Sequence, residues 1–214
     1  MALRGVALFK TAIGFCGVAW SGCGIIGVQL PEGGEDATRT RLLERFPDAA
    51  ESRPPTAVAR AVDSIVALLH GQGGDLCEVT LDFTGASAFR KKVYTLTRAI
   101  PPGKTLTYGE LALQAGSPGS ARAVGQAMAK NPFPIVVPCH RVLGANGKAG
   151  GFSATGGVTT KMRMLAIEGA LGQPRPERAK AALNFEKFAM RTCALDSLPF
   201  TVLGSPFAKG RQQT

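Results

Sequence analysis

Apolar positions along this 214-residue chain repeat with two different periods. Over "PPTAVARAVDSIVALLH", Val58, Val62, Ile65, Val66 and Leu69 fall at helical spacing, whereas "CEVTLDFTG" alternates Val79, Leu81 and Phe83 against polar neighbours, the pattern of a half-buried strand. The uncharged stretch "TAIGFCGVAWSGCGIIGVQL" is cut by five glycines, with Ser21-Gly22 at its midpoint, and predicts a β-hairpin turning near Ser21 to Gly24. "ATRTRLLERF" reads as a short helix. Together these elements make a small sheet carrying a helix, and nothing in them is catalytic. Residues 1–85 therefore read as scaffold.

The second half is helical. A helix beginning near Ala86 puts Phe89, Val93, Leu96 and Ile100 on one face and turns Arg90, Lys91 and Lys92 outward, and "IPPGK" ends it. Thr107 has Glu110 three residues on, the capping-box spacing, for a helix that ends at Gly116. After the turn "GSPGS", Ser120 caps a second helix running to Lys130. Two short helices about a tight glycine-containing turn are the pattern of a helix-turn-helix, although helical hairpins are also common core elements. "TTKMRMLAIEGA" predicts an amphipathic helix with Met162, Leu165 and Ala166 inward, closed by Glu168 on or near its apolar side.

Between these helices lies "NPFPIVVPCHRVLG", residues 131–144. Pro132, Pro134 and Pro138 exclude regular helix, and Ile135, Val136 and Val137 favour an extended, buried segment. Cys139 would sit at the end of that segment beside His140 and Arg141. A thiol reacts as thiolate, and a neighbouring imidazole or positive charge favours that form. Taken alone, the pair also fits an inert buried cysteine. The loop "GANGKAGGFSATGG" that follows can drape over a pocket, and it lacks the phosphate-cradling Walker pattern.

Charge separates the two halves. Residues 1–88 hold seven basic and ten acidic residues, residues 89–170 hold eleven against two, and the Cys-His segment lies in the basic part. A field of that sign suits a polyanion, with DNA or RNA as the leading candidates. Arg122 near the start of the second short helix is placed to enter a groove, and small residues such as Ala121 and Gly125 let that helix approach a duplex backbone. Five cysteines, an odd number at irregular spacing, do not form a disulfide framework, which points to a reducing, cytoplasmic setting. Only two histidines are present, so structural zinc is disfavoured, and the glycines in 11–30 argue against a membrane span or signal peptide.

Together the motifs resemble the O6-alkylguanine-DNA alkyltransferases, the methylated-DNA–protein-cysteine methyltransferases. "FRKKVYTLTRAIPPGKTLTYGELA", "ARAVGQAMAKNPFPIVVPCHRVLG", "GGFS" and "LAIEGA" stand in the family's order and spacing over residues 89–170, while residues 1–88 resemble its variable N-terminal domain only in layout. The resemblance implies an α+β fold: an RNase H-like sheet-plus-helix domain over 1–85, then a winged helix-turn-helix-like DNA-binding and active-site domain over 86–170. An extension of unknown role occupies 171–214.

It makes Cys139 the alkyl acceptor, His140 its base through a bridging water, and Glu168 the group orienting that histidine. Arg122 becomes the finger replacing a flipped base. Tyr108 assists backbone rotation and protonation of the guanine ring, Asn131 couples the recognition helix to the active-site segment, and Ser153 protonates or binds guanine O6. The carbonyls of Cys139 and Val142 accept hydrogen bonds from the guanine amino group, Ala121 and Gly125 face the DNA, and Arg141 is structural. The substrate implied is double-stranded DNA carrying O6-alkylguanine, with O4-alkylthymine beside it, met by a monomer needing no metal or cofactor. Tyr94 and Phe152 stand where the family commonly has tryptophan and tyrosine, and "ATGGVTTK" is about two residues longer than the commonest form of its loop. Two rivals remain at this level: a non-reacting module that grips alkylated DNA and flags it for other repair proteins, which retention of the thiol disfavours, and a cysteine hydrolase, which the adjacency of Cys139 and His140 disfavours.

Overall fold

Glycine-spaced apolar runs at the N-terminus assemble into a sheet in the computed structural model, which describes residues 4–171 apart from Asp75, Ser153 and Ala154. Strands β1 (Gly5–Thr11), β2 (Gly14–Ser21) and β3 (Gly24–Gln29) form an antiparallel meander, and β4 (Ala50–Glu51) joins β1 in parallel, giving the order β3-β2-β1-β4. The hairpin expected from residues 11–30 is present as β2–β3. The strand β1 escapes the pattern reading because Val6 to Phe9 is an unbroken apolar run without alternation. Successive side chains leave β2 on opposite faces. Ala19 packs with Val6 and with Leu42 of α1 (Glu35–Arg45), while Val18 and Trp20 join Val58, Ile65 and Leu68 of α2 (Thr56–Leu69).

The strand expected at residues 77–85 does not form. Only an isolated bridge links Leu81 to Ile25, because the Arg98 guanidinium donates to the carbonyls of Leu76, Cys77 and Val79 at 2.7–2.8 Å and bends the segment away from a ladder. Helix α3 (Ala88–Arg98) is capped by the Ser87 hydroxyl and buries Val93, Tyr94 and Thr97, leaving Phe89 and Leu96 half-buried. The Tyr94 hydroxyl donates to the Ala127 carbonyl at 3.0 Å, fixing α3 to α5 (Ala121–Ala129).

Helix α4 (Tyr108–Gln114) begins with the expected capping box. Ser120 occupies the N-cap of α5 but makes no side-chain cap; its own N–H donates to the Ser117 carbonyl at 3.1 Å, and that turn sets the entry into the helix. Helix α6 (Gly157–Ile167) is rotated from its expected register. Lys161, Met164 and Leu165 point inward, while Met162 and Ala166 are exposed.

The apolar segment before Cys139 is folded, not extended. The Val137 N–H donates to the Phe133 carbonyl at 2.7 Å, and Ile135, fully buried, takes a φ of 75°, a left-handed conformation that costs a β-branched residue energy. Its ends are held from outside: the Val28 N–H on β3 donates to the Pro132 carbonyl at 2.8 Å, and Asn131 clamps both Phe133 and Val137. A single 3-10 turn, Cys139–Arg141, leads into β6 (Val142–Leu143), which pairs in parallel with β5 (Leu106–Thr107). One apolar cluster runs through the molecule, from Trp20 and Ile65 to Leu111, Val142 and Met164. No helix among the described residues is long and apolar enough to cross a membrane.

Candidate active site

The two-residue ladder of β5 and β6 brings distant parts of the chain together. Leu106 and Thr107 lead directly into Tyr108 at the start of α4, and Val142 follows directly on Cys139–Arg141, so pairing Leu106 with Val142 sets the tyrosine beside the cysteine segment. Cys139, His140 and Arg141 are all buried, with His140 fully so.

Glu168, the C-cap of α6, reaches back under this turn. Its Oε1 lies 2.9 Å from His140 Nε2 and accepts from Arg141 Nη2 at 2.7 Å, and its Oε2 accepts from Arg141 Nε at 2.9 Å. Arg141 also donates to the Ile100 carbonyl at 2.5 Å. Burial raises the Glu168 pKa, but the hydrogen bonds and charges of His140 and Arg141 outweigh it and hold the carboxyl at about 2. Burial likewise lowers the His140 pKa below its ordinary value, against the opposing pull of Glu168. A neutral imidazole facing an ionised carboxylate must carry its proton on Nε2. That leaves Nδ1 as an unprotonated acceptor, and Nδ1 is buried without a hydrogen-bond partner from the described residues.

Burial also raises the thiol of Cys139, so its resting form is protonated. Three influences oppose burial: the Asn131 amide, the positive charge of Lys161, and the backbone N–H groups of Cys139 and His140. Asn131 is held for this by two bonds of its own, donating to the Val137 carbonyl at 2.8 Å and accepting from the Phe133 N–H at 2.9 Å. Lys161 is fully buried, donates to the Val142 carbonyl at 2.6 Å, and sets its ammonium 5.9 Å from the centre of the Tyr108 ring. The Tyr108 hydroxyl stays protonated, its pKa raised by burial and by the nearby Cys139.

Six of the residues expected from the sequence thus converge: Cys139, His140, Glu168, Asn131, Val142 and Tyr108. Arg122 is exposed at the start of α5, on the face shared by Ala121 and Gly125, and does not join that cluster. Ser153 lies outside the described residues, as do residues 172–214. The pattern reading missed Lys161, although it stands seven residues before Glu168, two helical turns, and so on the same face of α6. Among the described residues no group of histidine, cysteine and carboxylate side chains could hold a metal ion.

The sequence profile of the family described as "6-O-methylguanine DNA methyltransferase, DNA binding domain" matches residues 88–170. The methylated-DNA–protein-cysteine methyltransferase of Methanothermobacter thermautotrophicus is 39% identical over 153 residues, covering 72% of this chain and 78% of the relative. The protein of that name from Mycobacterium tuberculosis is 40% identical over 138 residues, covering 63% and 81%. Among solved structures, Mycobacterium tuberculosis OGT in complex with DNA superposes with a TM-score of 0.61 at 35% identity, over 77% of this chain and 92% of that one. O6-methylguanine-DNA methyltransferase from Pyrococcus kodakaraensis superposes with a TM-score of 0.56 at 29% identity, over 78% and 99%. These alignments reach beyond the motif-rich half into the N-terminal sheet, where the sequence offered only a likeness of layout. Over so much of its length, and through the whole segment around Cys139, this chain belongs to the methylated-DNA–protein-cysteine methyltransferases, and it is an enzyme of that class.

Proposed function

We propose that the protein repairs DNA by moving an alkyl group from O6 of guanine, or O4 of thymine, to Sγ of Cys139, once per molecule. The observation that carries this reading is the acceptor lone pair of His140 Nδ1, buried and without a protein partner on the residue next to Cys139, with the imidazole held from its other side by Glu168, itself paired with Arg141. His140 takes the Cys139 proton, through a bridging water. Sγ then attacks the alkyl carbon in line, the S–C bond forms as the O6–C bond breaks, and its electron pair stays with the guanine. The Tyr108 hydroxyl supplies a proton to the departing base, and the proton held by His140 restores the balance. Lys161 stabilises the thiolate meanwhile. The carbonyls of Cys139 and Val142, with Ser153, hold the base.

An O6-alkylguanine lies inside the duplex and must be extruded, at a cost of a few kcal/mol. We read α4 and α5 as a winged helix-turn-helix whose second helix enters a groove, with Arg122 filling the space left by the base and Asn131 linking the helix to the Cys139 turn. Gly125 supports this: a Cβ built there meets nothing within 4 Å beyond its chain neighbours and its own helix backbone, so no packing partner calls for a mid-helix glycine. A close approach from outside would. The N-terminal sheet is read as an RNase H-like domain over 1–85, ahead of the working domain at 86–170, in an intracellular monomer acting on double-stranded DNA. A non-reacting reader of alkylated DNA has no use for a buried thiol followed by an imidazole that a carboxylate holds as an acceptor.

A thioether has no good leaving group, so the enzyme is consumed one-to-one with the lesions it removes. Mass spectrometry after incubation with excess O6-methylguanine oligonucleotide tests this. One methyl on the peptide containing Cys139, and none in Cys139→Ala, is the expected result; repeated turnover, or repaired DNA beside unmodified Cys139, overturns it.

A further inference from the structure

Glu168 reaches His140 and Arg141 from the end of α6, and a glycine stands on either side of that end. Within its own helix the closure is local. Gly169 takes a φ of 67°, its N–H donates to the Ala166 carbonyl at 3.0 Å, and the Ala170 N–H donates to the Leu165 carbonyl at 2.9 Å. These are the two bonds of a Schellman motif, and they fix the backbone of Glu168 at the C-cap.

The other side is the turn that follows α3. The Lys104 N–H donates to the Pro101 carbonyl at 3.1 Å, and Gly103 takes a φ of 76°. Proline in the second position and a glycine at positive φ in the third are the marks of a type II turn. A Cβ built on Gly103 would lie 3.1 Å from the carbonyl oxygen of Glu168, too close unless that neighbour gives way. The neighbour is a backbone group already held by the Schellman bonds, so it cannot swing aside as the tip of a flexible side chain would. The head of the turn is tied to the same cluster, because the Ile100 carbonyl accepts from Arg141. Whichever partner yields to a side chain at Gly103, the pairing of Glu168 with Arg141 is disturbed.

We propose that Gly103 is a positioning residue for alkyl transfer: its bare Cα lets the Pro-Gly turn seat against the Glu168 carbonyl, and that contact sets where the Glu168 carboxylate meets His140. The inference rests on the reading of His140 as the base at Cys139. The carboxylate oxygen that faces Nε2 at 2.9 Å keeps the imidazole proton on that nitrogen and leaves Nδ1 as the acceptor. A carboxylate pushed out of register holds this tautomer less firmly.

Two asparagines separate the contact from the conformation. Asparagine tolerates positive φ better than most residues, so Gly103→Asn adds a Cβ with little backbone strain. Gly85→Asn is the control, since Gly85 has a φ of 78° and open space around it. The chain has two histidines, so heteronuclear NMR of the imidazole nitrogens resolves His140. The parent and Gly85→Asn should show the Nε2–H form, and Gly103→Asn a mixture with the Nδ1–H form. A misplacement of about 1 Å can cost on the order of a hundredfold in rate, so the smaller shift forced here should slow transfer about three- to tenfold in Gly103→Asn, with Gly85→Asn as fast as the parent. Added to Glu168→Gln, the same substitution should slow transfer little further, because both act through one interaction. Pro102→Ala adds nothing at the contact and only loosens the turn, so it should show the second tautomer to a smaller extent. A parent-like His140 spectrum in every folded variant of the turn, equal effects of the two asparagines, or losses that add to Glu168→Gln overturn the proposal. The spectrum needs no reaction, so a parent chain that transfers no alkyl group overturns the functional reading while the contact is still judged by NMR.

Discussion

Lys161 carries more of the site's electrostatics than its place in a surface-patterned helix suggests. Burial lowers its pKa, and the charge of Cys139 pulls the other way. The positive charge of its ammonium favours the buried thiolate. A buried charge costs stability while it serves chemistry. Lys161→Met keeps the volume and removes the charge, so we expect the transfer rate to fall about tenfold or more, the equivalent of about one pKa unit on the thiol or greater, with thermal stability unchanged or raised. Single-turnover kinetics and a melting curve check both halves. A variant that melts lower and reacts as fast would show that Lys161 is a packing residue.

At the scale of elements, α5 is where the protein meets its proposed substrate. Gly125 on its open face should be a conformational cost borne for an external contact, so Gly125→Ala is expected to stabilise the fold by about 0.5–1 kcal/mol and to weaken duplex binding. Denaturant titration and fluorescence anisotropy report the two effects separately. In the proposed mechanism Arg122, exposed on the same helix, acts only when a base must leave a duplex. Arg122→Ala should slow repair of duplex DNA by about ten- to a hundredfold, its share of a few kcal/mol of extrusion, and barely alter the reaction with free O6-benzylguanine. Equal losses on both substrates would place Arg122 elsewhere in the mechanism.

For the whole molecule, the Glu168 cluster is a fastening as well as the proposed support of His140, because it joins the end of α6 to the Cys139 turn and, through Arg141, to Ile100 after α3. Folded His140 titrates below its ordinary 6.5, and folded Glu168 at about 2 against an ordinary 4.5. Both groups take up protons more readily in the unfolded chain, so their contributions are present above those ordinary values and are lost in acid. Stability should fall first below pH 6.5, through His140, and again between pH 4.5 and 2, through Glu168. Glu168→Gln should be less stable at neutral pH and lack the second decline. Urea titrations across this range check it, and a variant that keeps the decline from 4.5 to 2 would assign it to other carboxyls.

The elements whose causes are local could be read from the chain. The apolar period of α2, the Thr107–Glu110 capping box, the glycine-cut hairpin and the Pro-Cys-His-Arg run depend on neighbours a few residues away, and those among them within residues 89–170 carried the family resemblance. Tertiary structure decided the points where a backbone group or a buried charge found its partner far along the chain. Residues 77–85 have the alternation of a strand, yet the Arg98 guanidinium takes the carbonyls at 76, 77 and 79 and bends them instead. Ile135 to Val137 favour extension by type, yet Asn131 and Val28 pin the ends of their segment into a turn. Lys161 belongs outside by its charge, yet the Val142 carbonyl and the Tyr108 ring give it a polar place within. In each case the competing energies are of similar size, and the choice falls to whichever partner the rest of the fold brings within hydrogen-bond distance.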